Sequence, residues 1–386
     1  MKIERFALER WMTKWELNVD YDIAESGIAP FTVAQLAELC RDTDRDTLLA
    51  ELSAIPLGYS EARGTLALRQ AIAETYQSVD PDDVLVTTGA IEANFLLFHA
   101  LLEPGDHVIS VAPAYQQLLS VPRSIGCDVT PWQLRPEQGF RFDVDELEQL
   151  LRPNTRMIVI NSPHNPTGAM LGEEDLRRIA RLADECGAYV LSDEVYRGLD
   201  HPGGPPQPPS MRDLTPRAIG VGSLSKAYGL PGLRIGWIAA NPDIVNRCWG
   251  LRDYVSLSPG ALNDRLARLA IANRDLVFAR SQVIIGANMV RARVWFRANQ
   301  DIMSWDEPRA GLLAMVKYSA DVPSETLADD LAREMRVMLA PGAAFGLEGY
   351  LRLGIGQRPE IFLEGLRRTS AYLRRLNGTT ASESEH

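Results

Sequence analysis

Lysine is scarce in this 386-residue chain, because only Lys2, Lys14, Lys226 and Lys317 occur among its 40 basic residues. Arginine therefore supplies the ordinary positive charge of the surface. Lysine differs from arginine in that a desolvated lysine can lose its proton and attack a carbonyl group, whereas arginine stays charged. Lys226, which lies in an apolar and glycine-rich segment, is therefore a candidate for covalent chemistry.

Cysteine is scarce as well. The four cysteines are far apart in the sequence, with neither the close pairing of a zinc site nor the density of a disulfide scaffold: Cys40, Cys127, Cys186 and Cys248. We therefore predict no metal site, and we expect reduced thiols in a cytoplasmic protein.

Long apolar runs are absent, and so is an excess of positive charge. No run approaches the roughly 18 residues that a membrane span needs, and the first residues carry charges where a signal peptide would be apolar. The net charge of -11 opposes binding to DNA or RNA. We expect a soluble, cytoplasmic protein that binds neither membranes nor nucleic acid.

Short apolar runs that alternate with helical segments predict an α/β fold with a mostly parallel sheet flanked by helices. Several of the runs lack polar alternation, which is typical of strands buried on both faces. The predicted strands are Val84–Thr88, Val108–Ala112, Met157–Asn161, Tyr189–Ser192, Ile219–Gly222, Ile235–Ala240, Leu312–Tyr318 and Tyr350–Ile355.

The chain is long enough for a large domain and a smaller one. We assign residues 36–285 to the large domain and residues 286–386 to a small α+β domain, with residues 1–35 packing on the small one. A long helical stretch over Leu262–Ala298 is expected to lead out of the large domain. Asp143 and Glu146 resemble a capping box, and residues 378–386 are expected to be disordered.

Polar side chains follow three of the predicted strands. Asn165 lies in an Asn-Pro-Thr-Gly turn, Asp193 and Tyr196 follow the next strand, and Lys226 and Arg234 follow the third. Ligands bind at the carboxyl ends of strands in open α/β sheets. Taken singly, the turn and the acid have ordinary structural explanations, but the ordered series is typical of one family.

On these residues the chain resembles the class I/II aminotransferases, the aspartate aminotransferase superfamily of fold type I pyridoxal-phosphate (PLP) enzymes. The resemblance extends from Gly58-Tyr59 through Thr87-Thr88-Gly89 to Arg352. It implies a large domain that binds PLP, a smaller α+β domain, and a homodimer with shared active sites. An amino acid and a 2-oxo acid would be the substrates.

The resemblance also implies roles around the cofactor ring. Lys226 would bind PLP as a Schiff base and then carry a proton as a general base. Asp193 would pair with the pyridine nitrogen, and Tyr196 and Asn165 would contact the ring oxygen. Tyr115 would stack on the ring.

The phosphate would be bound by donors and by positive charge. Arg234 can make a two-pronged contact, and Ser223 and Ser225 can donate hydroxyls. The family pattern adds the amides at Gly89, Ala90 and Ile91, and it adds Tyr59 from the neighbouring subunit. For the substrate, the family pattern has Arg352 bind the α-carboxylate, with Gly27 and Asn165 beside it.

Two questions stay open at this point. Ser223-Leu224-Ser225-Lys226 also fits the S-x-x-K motif of serine hydrolases, but the companion motifs of that class are absent. The segments Trp132–Phe140, Ser225–Trp237 and Arg252–Tyr254 are similar to enzymes of the capreomycidine synthase type, which eliminate a hydroxyl from a hydroxyarginine and cyclise it. Transamination is the prediction, and elimination with cyclisation is the alternative. Glu9, Asp20 and Glu25 are candidate partners of the guanidinium in the alternative, although a solvated helix or loop charge is the favoured interpretation of each.

Overall fold

The computed structural model describes residues 2–41 and 43–378. Its strands are β1 (Tyr21–Asp22), β2 (Val84–Thr87), β3 (His107–Ala112), β4 (Asp128–Gln133), β5 (Thr155–Asn161), β6 (Tyr189–Asp193), β7 (Ala218–Ser223), β8 (Gly236–Ala239), β9 (Met303–Trp305), β10 (Leu313–Tyr318), β11 (Val337–Met338), β12 (Ala340–Pro341) and β13 (Tyr350–Gly354).

The helices follow the same order along the chain. They are α1 (Ala7–Trp15), α2 (Val33–Leu39), α3 (Arg45–Ala54), α4 (Leu66–Ala73), α5 (Ala90–Leu101), α6 (Gln117–Ile125), α7 (Val144–Leu150), α8 (Glu173–Cys186), α9 (Pro242–Arg252), α10 (Ala261–Ala272), α11 (Arg274–Ala298), α12 (Ser324–Met335) and α13 (Pro359–Leu376). No helix in residues 2–41 and 43–378 is long and apolar enough to cross a membrane.

The largest sheet has seven strands in the order β2-β8-β7-β6-β5-β3-β4. Its pairs from β4 to β7 are parallel, whereas β8 runs antiparallel to both β7 and β2. Strands β2, β3, β7 and β8 are buried along their whole length, which is why their sequences lack polar alternation. The prediction of an α/β fold with a mostly parallel sheet is confirmed.

Helices cover both faces of this sheet. On one face α8 packs Leu176 and Ile179 against Ile158 and Ile160 of β5. On the other face α5 buries its apolar residues against other side chains of the same strands. Helix α8 ends at Gly187, whose φ of 75° lies in the left-handed region that favours glycine.

A second, antiparallel sheet has the order β12-β13-β10-β9, and β1 pairs with β11 beside it. The amino-terminal residues therefore contact the carboxyl-terminal part of the chain, since Tyr21 lies opposite Val337. The division into domains at residues 35 and 285 stays a proposal.

All eight predicted strands are present, with ends displaced by two residues at most. The predicted helical stretch over Leu262–Ala298 is present, but Asn273, whose side chain donates to Leu269 O, divides it into α10 and α11. The capping box is wrong. Asp143 does cap α7, but the Glu146 carboxylate turns to Arg135 instead of the cap backbone. The predicted disorder at 378–386 falls, from residue 379 onward, outside the described residues.

Candidate functional site

Three parallel neighbours, β5, β6 and β7, end at the same edge of the central sheet. Their last residues are Asn161, Asp193 and Ser223. Because parallel strands point the same way, polar side chains at these ends converge. Asn165 lies four residues past the first strand and Lys226 three residues past the third.

Strand β8 runs antiparallel to β7, so the start of β8 lies at the same sheet edge as the ends of β5, β6 and β7. Gly236 at its start lies opposite both Ser223 of β7 and Thr87 of β2, so Arg234 and Gly89 come to the same edge. Gly89 has a φ of 80°, and a Cβ there would lie 2.6 Å from Arg234 Nη2. Only glycine fits this contact between the backbone and the guanidinium.

A cavity of about 510 Å³ opens at this edge. Most of the predicted site residues line it, namely Ala90, Ile91, Tyr115, Asn165, Asp193, Tyr196, Ser223, Ser225, Lys226, Arg234 and Arg352. The sheet edge therefore brings together residues spread over more than 260 positions of the sequence.

Lys226 projects into the cavity with two polar neighbours from the amino-terminal segment. Its Nζ donates to Ser26 Oγ at 2.6 Å and lies 3.7 Å from Glu25 Oε1. Burial would raise the pKa of Glu25, but Lys226, Arg352 and two backbone amides hold that pKa below its ordinary value. Glu25 is therefore an ionised neighbour of the lysine at neutral pH.

Asp193 is a buried carboxylate, 6% exposed, at the end of β6. Burial raises its pKa to about 6, and hydrogen bonds from Asn94 Nδ2 at 3.0 Å and from the amide of Val195 limit the rise. A negative charge held in a buried place favours a cationic partner.

A chain of amide side chains connects Asp193 to Arg352. Asn161 Nδ2 donates to the backbone oxygen of Asp193 at 2.9 Å, and Asn161 Oδ1 accepts from the backbone N–H of Asn165 at 2.7 Å. Arg352 then donates to Asn165 Oδ1 at 3.3 Å and to Ala24 O at 2.8 Å.

The Arg352 side chain is only 1% exposed and forms no ion pair within residues 2–41 and 43–378. Its Nε has no hydrogen-bond partner there. A buried and unpaired guanidinium is costly, so this arginine is suited to receive an anionic group from a ligand.

A second buried polar atom is also without a partner among the described residues, the hydroxyl of Tyr196. Burial raises the pKa of this hydroxyl, which keeps it protonated and able to donate a hydrogen bond. Hydroxyls and a positive charge line the same cavity: Ser223 Oγ donates to Ser225 Oγ at 3.0 Å, and Arg234 Nη1 donates to Ser225 Oγ at 3.4 Å.

Three predicted residues do not line the cavity: Gly89, whose contact with Arg234 is described above, Gly27 and Tyr59. Gly27 belongs to the adjoining wall, where a Cβ would lie 3.2 Å from Glu25 Oε1. Tyr59 is 89% exposed and does not line the cavity of its own chain, so its assignment to a neighbouring subunit stays a prediction. Tyr115 lines the cavity and donates to Glu9 Oε1 at 2.8 Å.

Sequence reasoning missed Ser26, Asn94 and Glu16, which also line the cavity. Asn94 gave a usable signal, because it is a polar residue within the apolar helix α5. The other two lie in the amino-terminal segment, whose path is set by long-range contacts.

Of the three acids considered for a guanidinium, Glu9 and Glu25 line the cavity, whereas Asp20 is bonded to Arg336 at the surface. The suggestion of Asp20 as a partner is therefore wrong.

The sequence profile of the family described as aminotransferase class I and II matches residues 46–361. The chain belongs to this family. Among curated relatives, this class I/II chain is 33% identical to capreomycidine synthase of Streptomyces vinaceus over 92% of its length and 90% of the relative's.

Solved structures agree with the family assignment. A PLP-dependent aminotransferase from Streptococcus suis is 36% identical, with a TM-score of 0.92 and complete coverage of both chains. The PLP-dependent cyclase OrfR is 30% identical, with a TM-score of 0.90 over 97% of this chain and 98% of its own. The fold is therefore fold type I, and the chain is a PLP-dependent enzyme of the aminotransferase superfamily.

The residues of the cavity fit this cofactor. The unpartnered hydroxyl of Tyr196 is a donor for the ring oxygen, and buried Asp193 is an anionic partner for the pyridine nitrogen. Because Gly89 has no side chain, the Arg234 guanidinium can lie close to the amino terminus of α5. A guanidinium beside a helix amino terminus is a favourable place for a phosphate.

Proposed function

We propose that the protein is an aminotransferase that moves the α-amino group of an amino acid to a 2-oxo acid. The observation that supports this most is the placement of Lys226, Asp193 and Arg352 in one cavity. These groups would bind the cofactor aldehyde, the pyridine nitrogen and a substrate carboxylate, respectively.

The bound cofactor supplies an electron sink for the carbanion that forms at the substrate Cα. Lys226 anchors the cofactor and, once released by the substrate amine, accepts and returns the proton at its Nζ. Ser26 accepts a hydrogen bond from this Nζ at 2.6 Å and so orients it.

The remaining residues hold the ring and phosphate in place. Asp193 keeps the pyridine nitrogen protonated, and Tyr196 and Asn165 contact the ring oxygen, with Tyr115 against the ring. Arg234, Ser223, Ser225 and the α5 amino terminus, with the amides of Gly89, Ala90 and Ile91, would hold the phosphate. Each contact removes a degree of freedom of the reacting centre.

The substrate α-carboxylate binds Arg352, with Gly27 and Asn165 beside it. Tyr59 reaches the phosphate of the neighbouring subunit, so the protein works as a homodimer with shared sites in the cytoplasm. Exposed apolar side chains near Tyr59, among them Leu57 and Tyr254, support an interface between subunits.

Absorbance spectroscopy tests the proposal. The wild-type protein mixed with PLP is expected to show the band of the lysine-bound cofactor near the visible range. Lys226→Ala should lose this band, whereas Lys317→Ala, which changes an exposed lysine of β10, should keep it. A colourless wild-type protein that fails to bind PLP would overturn the proposal.

The second candidate is elimination of a β-hydroxyl followed by cyclisation of a hydroxyarginine. The similarity to capreomycidine synthase and to the cyclase OrfR favours it, and it starts from the same Cα carbanion. Incubation of amino acids with and without a 2-oxo acid acceptor separates the two. Turnover of hydroxyarginine without an acceptor would show elimination, whereas strict dependence on the acceptor would show transamination.

A further inference from the structure

The cavity carries more negative charge than the cofactor and the substrate backbone require. Three cations line it, namely Lys226, Arg234 and Arg352. The proposed function assigns each of them: to the cofactor aldehyde, the phosphate and the α-carboxylate. No cation among the described lining residues is left for an acidic substrate side chain.

In contrast to the cations, two of the carboxylates that line the cavity have no role in the proposed function. Asp193 is assigned to the pyridine nitrogen and Glu25 lies beside Lys226, but Glu9 and Glu16 have no role in the proposed function. They lie seven residues apart on α1, with Met12 between them on the same face towards the cavity. The face of one helix thus presents two carboxylates to the ligand space.

Neither carboxylate has a cation of its own within residues 2–41 and 43–378. Glu9 accepts a neutral hydrogen bond from Tyr115, and Glu16 has no side-chain partner there. Glu16 also sits at the carboxyl end of α1, where the helix dipole disfavours an acid. Glu9 and Glu16 are both exposed, so a ligand that enters the cavity can reach them.

A second, independent feature points to a ligand. Arg352 lines the same cavity, is 1% exposed and has an unpartnered Nε. It fixes where a carboxylate binds, and Glu9 is close enough to favour its charged form. An α-carboxylate that neutralises Arg352 leaves Glu9 and Glu16 facing the remainder of the substrate.

We propose that Glu9 and Glu16 form a side-chain subsite that selects a cationic amino acid. The inference rests on the proposed function, and it holds for transamination and for elimination alike. Guanidinium is expected to bind more tightly than ammonium, because its planar fork can form two parallel hydrogen bonds to a carboxylate.

Calorimetric titration of the PLP-loaded enzyme tests the subsite with ligands that lack an α-amine and so leave the cofactor unchanged. The ligands are 5-guanidinopentanoate, 6-aminohexanoate and hexanoate. The two cations are expected to bind at least about tenfold more tightly than hexanoate, as for hydrogen bonds to charged groups. Equal affinity for all three would overturn the subsite.

Glu9→Gln and Glu16→Gln should each lower the affinity for the cations about fivefold or more and leave that for hexanoate within about twofold. Glu74→Gln is the matched control, because Glu74 also caps the carboxyl end of a helix, α4, but lies outside the cavity. It should change no affinity. An equal loss for all three ligands would show a merely structural role and would also overturn the proposal.

The cofactor band is measured on every sample before titration. An intact band with no preference for cations refutes the subsite and leaves the proposed function standing. Absence of the band in the wild-type enzyme refutes both.

Discussion

Asp193 lowers the stability of the cofactor-free fold at neutral pH, although its charge is needed for the proposed contact with the cofactor ring. Burial raises its pKa to about 6 in the cofactor-free protein, from about 3.8 in an unfolded chain. The native state thus binds the proton more tightly, and stability from this group falls as pH rises between these values. At pH 8 the ionised carboxylate destabilises the cofactor-free fold by about 3 kcal/mol.

Asp193→Asn is therefore expected to stabilise the cofactor-free protein by up to about 3 kcal/mol at pH 8, and by under about 1 kcal/mol at pH 4. Denaturant unfolding at both pH values measures this. The same variant should lower turnover of the PLP-bound enzyme by roughly a hundredfold or more, since the ring nitrogen loses a buried charged partner. A gain that does not depend on pH would contradict the assignment.

Gly89 offers a second prediction at this scale. Gly89→Ala would be strained at a φ of 80° and would place its methyl group 2.6 Å from Arg234 Nη2. The dissociation constant for PLP, measured by absorbance titration, should rise about tenfold or more. Gly105→Ala is the control, because its φ of 92° brings the same strain in open space. If both variants bind PLP equally well, Gly89 has no part in the phosphate site.

Residues that carry distinct chemistry were predictable from the sequence. Lys226 was conspicuous because lysine is rare, and Arg352 because it lies in an apolar strand. Ser26 and Glu16 were not, since Ser26 gains its role from a bond to Lys226, 200 positions away, and Glu16 gains its role only from the cavity that it lines.

At the scale of elements, one aspartate holds α1 against α12. Asp329 Oδ1 accepts from Trp11 Nε1 at 2.9 Å and from Trp15 Nε1 at 2.7 Å, and Lys14 donates to Oδ2 at 2.6 Å. Since α1 also carries Glu9 and Glu16, its attachment positions part of the cavity wall.

Asp329→Ala should cost about 3 kcal/mol of the free energy of unfolding, because two partly buried indole N–H groups lose an ionised acceptor. Hydrogen exchange should increase across residues 7–15. Asp330→Ala is the matched control, since Asp330 forms an exposed ion pair with Arg333 three residues along the same helix. Its cost should stay under about 1 kcal/mol, and a comparable effect of the two variants would contradict the role of Asp329.

Long buried strands were predictable as elements, whereas half-exposed strands and strands of two or three residues were not. The apolar runs of β3 and β7 gave clear signals because both of their faces are covered. The edge strand β4 was missed, because it is largely half-exposed and contains Pro131, which is typical of an edge. The break between α10 and α11 was missed as well, since periodicity continues across a single residue.

At the scale of the whole molecule, two neighbouring segments expose apolar side chains. Tyr59 is paired with Gly260 in a β-bridge, and Leu57, Tyr59 and Tyr254 are 85%, 89% and 91% exposed. Val255 and Leu257 extend the patch. Apolar groups clustered in this way are typical of an interface between subunits.

Complementation tests both the dimer and the role of Tyr59. Lys226→Ala and Tyr59→Ala should each have low activity alone. In mixed dimers one of the two sites joins an intact Lys226 with an intact Tyr59, so a refolded equal mixture should recover about a quarter of the wild-type specific activity. A mixture that stays as inactive as its components would show that Tyr59 does not serve the neighbouring site.

Gly354, at the end of β13, and Gly356, two residues later, affect when the cavity can form during synthesis. A Cβ at Gly354 would lie 2.2 Å from Glu25 O, and one at Gly356 would lie 2.3 Å from Gly27 O, next to the bond from Arg352 to Ala24. Residues 24–27 leave the ribosome more than 300 residues before residues 352–356. The wall beside Lys226 therefore stays without this partner during the whole of that interval, and the cavity is complete only after residues 352–356 have emerged.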